Sequence, residues 1–282
     1  MKSKILCLSL ILILGLSACG VSFNLPTPGP TQSEQISIPV PEASSQSTQL
    51  LLTFGAGDLN LKPGAEGLVY GTATYNISDF KPEIVNTGNT VEIKQGNFKF
   101  NVVPNLTDVI NTWDLELGKA PMDLVISAGA YHANYDLGGL ALTNLTVKDG
   151  ASDVNLTFSS PNQAQMNVFK YETGASQVSL NNLANANFSL LEFKSGAGNY
   201  TLDFSGSLQR NASVTINAGL GNLTLTFPEN VPVQLTVNSA LANVTMPGSW
   251  ARNGNIYTQA GSGPAWTVLV EIGAANLVVT NK

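Results

Sequence analysis

The chain has 282 residues, 43% of them hydrophobic but only 11% charged, with 13 lysines and arginines against 19 acids and a formal net charge of −6. A mildly acidic chain with no basic run is a poor partner for nucleic acid or anionic head groups. One histidine and two cysteines exclude a two-histidine metal centre and leave any Ser-His-Asp arrangement dependent on His132 alone, so no cofactor, metal ligand or catalytic residue is expected.

Residues 1–19 read as a lipoprotein signal peptide. Lys2 and Lys4 precede the apolar stretch Ile5 to Leu16, which is too short for a stable membrane span, and a small-residue cleavage region follows. Leu16-Ser17-Ala18-Cys19 resembles a bacterial lipobox, in which the cysteine is acylated and becomes the mature N-terminus. Cys7 leaves with the signal, so the mature chain is expected to hold one acylated cysteine and no disulfide. The expected location is the extracytoplasmic cell envelope, with the membrane reached through lipid on Cys19. Residues 20–48, rich in Pro, Ser, Thr and Gln, offer little to bury and read as a disordered tether.

Residues 49–121 read as a first repeat plus an irregular β-rich cap. The repeat is Leu51-Leu52-Thr53-Phe54-Gly55-Ala56-Gly57-Asp58-Leu59-Asn60-Leu61, closed by Lys62-Pro63-Gly64. Alternating stretches follow at Gly67 to Ile77, Ile84 to Lys94, Asn97 to Val103 and Thr112 to Leu117, with hairpin turns expected at Asn86 to Asn89 and Gln95 to Asn97. Asn105 to Asn111 reads as one helical turn. Asp108, Asp114, Glu116 and Asp123 cluster in sequence, but on strands they read as a solvated face.

Residues 122–282 repeat one pattern: an alternating apolar run, a small-residue corner, a second alternating run and a loop. Aligning the corners puts Gly57, Gly129, Ser152, Ser176, Gly198, Gly221, Ala242 and Ala275 in one column, with steps of 23, 24, 22, 23 and 21 residues from Gly129 to Ala242. Period-two alternation on both sides of a corner, repeated near 23 residues, specifies a single-stranded parallel β-solenoid of about eight coils. A right-handed path is expected. Large side chains at the corner would collide with their equivalents on coils stacked about 4.8 Å away. The next residue is Asp or Asn in six of the eight copies, which predicts a ladder of short polar side chains. Nine Asn-x-Ser/Thr triplets arise from the same polar/apolar alternation.

The run Asp123 to Ala130, the link Asp136-Leu137-Gly138-Gly139-Leu140-Ala141-Leu142, and Leu145 to Asp153 resemble the toast-rack family of bacterial envelope proteins. That family is similar to the C-terminal domain of cell-wall-antibiotic response proteins and to adhesin-like β-solenoids. The resemblance covers about residues 50 to 282 and implies an envelope protein without known enzymatic activity. It brings no site residues.

Residues 247–266 are an insertion that stretches the last repeat, and the chain then closes on a final copy whose Lys282 is expected to blunt a sheet edge. A structural cap is one reading of the insertion. The other is a binding loop in which Trp250, Arg252, Tyr257 and Trp266 form an exposed platform for a glycan or an envelope protein. The function that fits best is a non-catalytic, adhesin-like or scaffold module. An enzyme acting on envelope polysaccharide, or an accessory to envelope-stress sensing, is the alternative.

Overall fold

The computed structural model describes residues 28–42, 47–96, 108–239 and 243–282. The signal peptide with Cys19, the expected strand Asn97 to Val103 and residues 105–107 of the expected helical turn lie outside them. Within them the chain is all β. In chain order the strands are β1 (Gln32–Ile38), β2 (Thr48–Pro63), β3 (Val69–Tyr75), β4 (Pro82–Thr87), β5 (Thr90–Gln95), β6 (Asn111–Leu117), β7 (Met122–Asp136), β8 (Leu142–Thr157), β9 (Met166–Asn181), β10 (Phe188–Asp203), β11 (Ala212–Phe227), β12 (Val233–Ser239), β13 (Asn243–Thr245), β14 (Ala251–Asn253), β15 (Ile256–Gln259) and β16 (Trp266–Asn281).

Long strands stack in parallel as the rungs of a β-solenoid, in the order β2, β7, β8, β9, β10, β11, β16 and then the broken rung β12/β13. Each rung bends once. In β10, Leu191 and Phe193 point inward before the bend and Tyr200 and Leu202 after it, while Lys194 to Asn199 between them are partly or fully exposed. Inward parity therefore switches from odd to even residues, which only a local break in the pleat permits.

A glycine column marks that break. An ideal Cβ would lie 2.4 Å from the Gly55 carbonyl oxygen at Gly129, 2.4 Å from that of Gly150 at Gly174, and 2.6 Å from that of Gly196 at Gly219. No side chain fits between a bend residue and the rung below it, and Gly is the remaining choice. This column corrects the alignment drawn from sequence at one copy, because Gly129 stacks on Gly55 and it is Tyr131 that stands opposite Gly57. At the other described copies the small-residue column stands in register, with Ser152, Ser176, Gly198, Gly221 and Ala275 paired in turn. It is tight as well: an added Cβ would lie 2.0 Å from the Asn111 carbonyl oxygen at Gly57, 1.8 Å from that of Ser176 at Gly198 and 1.9 Å from that of Gly198 at Gly221.

The polar ladder forms where asparagines are in register. Asn222 Nδ2 donates to Asn199 Oδ1 at 2.7 Å and Asn276 Nδ2 donates to Asn222 Oδ1 at 3.0 Å. Inside, an aromatic file runs along the stack: Phe158, Phe169, Phe188, Trp266, Phe204 and Phe227 follow one another with centroid separations of 6.0, 6.3, 5.6, 5.0 and 4.6 Å. Each ring fills the gap left by its neighbours, as close packing requires.

Two further expectations change. Residues 32–38 are not tether: β1 pairs antiparallel with β3 along its whole length and buries Ile36 and Ile38. The Pro/Ser/Thr composition around it hid a seven-residue strand whose two inward apolar side chains suffice on a cap edge. The final copy does not end the stack either. Strand β16 lies between β11 and β12, so Lys282 follows an interior rung rather than a sheet edge. The β16 rung brings the larger inward set, with Trp266, Val268, Val270, Ile272, Leu277 and Val279 buried, whereas β13 contributes only the partly buried Val244. The better-filled rung takes the doubly covered place.

Both ends of the stack are closed antiparallel. The β4–β5 hairpin, turning at Gly88 (φ 59°) as expected between Asn86 and Asn89, lays β5 on the first half of β2, and β6, β3 and β1 extend the second half. At the other end β15 pairs antiparallel with β12 and β14 with β15.

Candidate functional site

The insertion is built as a plug. Trp250 is 7% exposed, lies 5.7 Å from the Phe227 ring and donates from Nε1 to Asn281 Oδ1 at 2.9 Å. Trp266 is 1% exposed within the aromatic file, and Tyr257 is 8% exposed. Only Arg252 faces solvent; its guanidinium lies 5.2 Å from the Tyr257 ring centroid and its Nε donates to the Gly254 carbonyl. The expected platform of exposed aromatics is corrected here: end rungs of a solenoid expose apolar interior, which Trp250 and Tyr257 help to cover, while Trp266 packs inside the stack between β11 and β12. His132 is exposed on β7, with Nδ1 3.9 Å from Asp153 Oδ2.

A second polar feature lies inside the bend. The half-buried Asp149 carboxylate accepts from Tyr171 Oη at 2.9 Å and Tyr131 Oη at 3.3 Å, and from the Thr173 hydroxyl, while the hydroxyls of Ser152 and Ser176 are 2.9 Å apart beside it. Burial, reinforced by neighbouring phenols and Asp149, raises the phenol pKa of Tyr131 and Tyr171 far above the ordinary tyrosine value. These donors converge on one carboxylate and pin the bend of three successive rungs.

A concave face lies elsewhere, where cap and coils meet. Cross-strand register lines up Thr72 of β3, Asp114 of β6, Asn60 of β2, Asn134 of β7 and Asn155 of β8 in one outward row. Two residues further along, Tyr70, Glu116 and Lys62 form a parallel row, with Asp136 and Thr157 on the coil side. Together they line a groove of about 650 Å³. Tyr70 is 48% exposed, and with Glu116 it also borders a second hollow of about 570 Å³ beyond the end of β3, near Pro39 and Gly64. Tyr70 therefore lines both depressions.

The groove carries three carboxylates and one lysine, and each carboxylate has a partner. Asp114 Oδ1 accepts from Asn60 Nδ2 at 2.8 Å, Glu116 pairs with Lys62 at 3.1 Å, and Asp136 folds onto its own loop, accepting from Ser159 Oγ at 2.7 Å and from the Gly138 amide at 3.0 Å. The sequence cluster of four acids is split: Asp114 and Glu116 enter the groove, while Asp123 accepts from Asn144 Nδ2 at 2.8 Å on the first-half face and Asp108 sits before β6. Tyr70, Asn134 and Asn155 were not singled out from the sequence. Their period-two spacing marked them as outward, but which outward residues share a concavity depends on cross-strand register.

A family model described as the N-terminal domain of toast_rack, DUF2154, matches residues 27–181 and again 162–226. No curated protein matches the chain. Among solved structures it is similar to a candidate cell adhesion protein from Clostridium sporogenes, at 23% identity and a TM-score of 0.48, covering 91% of this chain and 100% of that one. It is also similar to a candidate adhesin from Bacteroides fragilis (12%, TM-score 0.35, 90% and 98%) and a candidate lipid binding protein from Parabacteroides distasonis (12%, TM-score 0.33, 90% and 97%). Likeness at this level assigns no function.

Proposed function

We propose that this chain, which belongs to the family of the N-terminal domain of toast_rack, DUF2154, is a lipid-anchored cell-envelope protein whose solenoid is a non-catalytic interaction module, docking its partner in the groove beside Tyr70. The observation that supports this best is the pairing of the groove's carboxylates. Hydrolysis by two acids needs one that holds a proton and one that does not, facing each other across the scissile bond. Here Asp114, Glu116 and Asp136 are engaged by Asn60, Lys62 and the Ser159 loop, an arrangement that suits fixed hydrogen-bond acceptors. The anchor would be Cys19, and with β1 starting at Gln32 the spacer is residues 20–31, at most about 40 Å when fully extended.

Replacing Cys19 by Ser should release the protein from membranes and abolish acyl labelling; retention with label would overturn the anchor. For docking, the full chain should co-sediment with insoluble envelope material of the producing cell, and Asn134→Arg, which fills the groove from an exposed position, should abolish this. Release of reducing ends from that material, lost in Asp114→Asn, would overturn the non-catalytic reading.

A further inference from the structure

We infer that the occupant of this groove is an extended, uncharged glycan chain that runs across the strands and stacks one sugar ring on Tyr70; this rests on the groove being the docking surface. Three properties of the site lead to that class.

The first is the aromatic. A tyrosine nearly half exposed and lining two hollows of about 650 and 570 Å³ offers a surface to be covered from solvent, on a strand held on both sides by β1 and β6. The electron-rich face of an aromatic ring attracts the polarised C–H bonds on the flat side of a pyranose. The second is spacing. The row Asp114, Asn60, Asn134, Asn155 presents an amide or carboxylate on each successive strand, that is, every ~4.8 Å. Two steps, about 9.6 Å, come close to the repeat of a disaccharide unit in an extended β-linked chain, so alternate strands meet successive disaccharides at equivalent positions, as Asn60 and Asn155 would. The row mixes donors and acceptors, as hydroxyl groups require.

The third is charge. Asp114, Glu116 and Asp136 face the groove against Lys62 alone. This repels anionic polymers, including uronate and phosphate-bearing chains, and leaves neutral hexose or N-acetylhexosamine chains. A basic peptide would satisfy the charge but would leave the stacking surface and the regular amide row without a purpose.

The test is titration calorimetry of the full chain in detergent micelles with cellohexaose, chitohexaose, hexagalacturonate and hexalysine. At least one of the two neutral hexasaccharides should bind and hexagalacturonate should not. Tyr70→Ala should weaken the neutral ligand about tenfold, while Tyr70→Phe, which keeps the ring face, stays within about twofold. Circular dichroism of both variants should be unchanged, since the side chain lies outside the core. Silence with both neutral chains, equal binding by Tyr70→Ala, or binding of hexalysine in their place would overturn the inference. If envelope co-sedimentation still depends on Asn134 while both neutral chains are silent, the glycan assignment fails and the docking surface stands; loss of both fails the docking surface itself.

Discussion

At its glycine positions the bend leaves no room for a Cβ against the neighbouring rung. At Gly174 an added Cβ would meet the Gly150 carbonyl oxygen, a backbone atom of the neighbouring rung, at 2.4 Å, whereas at Gly248 it would meet nothing within 4 Å. Gly174→Ala should therefore lower unfolding stability by about 1–3 kcal/mol, and Gly248→Ala should be near neutral, both read by urea titration. The tyrosines at the bend give a second expectation. Burial raises the phenols of Tyr131, Tyr135, Tyr171 and Tyr200 above the ordinary value of 10.0. In the unfolded chain they ionise near pH 10, so above that pH the folded state holds more protons and stability falls as pH rises. Thermal melts should be flat with respect to these groups below pH 10 and drop above it, and the replacement Tyr171→Phe should lessen the drop.

Among elements, the placing of β16 between β11 and β12 has a dynamic consequence. A strand at the end of a chain ordinarily frays, yet β16 has ladder partners on both sides along most of its length, while β14 has three residues and one partner. Hydrogen exchange should place amides of Val268, Val270 and Leu277 among the slowest in the molecule and those of β14 among the fastest. Fast exchange throughout β16 would contradict the order of rungs. That order was not legible in the sequence, because Trp266 to Asn281 and Val233 to Thr245 carry the same pattern and either fits beside β11. Only the completeness of the inward set separates them. The long rungs, the Asn86–Asn89 hairpin and the cap were legible, since period-two alternation survives any stacking order. Strand β1 was not, because two inward isoleucines among Ser, Gln and Pro fall below what composition detects. The groove was half legible: Asp114 and Glu116 could be read as outward, but their concavity with Tyr70 and Asn134 arises from register between strands far apart in sequence.

Taken whole, the molecule is a rod of about eight rungs, roughly 40 Å long at ~4.8 Å per rung, with both ends closed by antiparallel strands. Such closure blunts end-to-end association and leaves the lateral faces for contact. Of these, the bend face carries the bonded asparagines Asn199, Asn222 and Asn276 and a hollow of about 610 Å³ beside Asn217 and Glu271, and the groove face combines its hollow with an exposed aromatic. The central claim is that this cap–coil groove recognises an extended neutral glycan. The most direct measurement is amide chemical-shift mapping of the isotopically labelled full chain with cellohexaose or chitohexaose added. Shifts concentrated at Tyr70, Thr72, Asn134 and Asn155, with β14 and β15 unmoved, are predicted. Shifts confined to the β14–β15 plug, or none anywhere with either sugar, would contradict it.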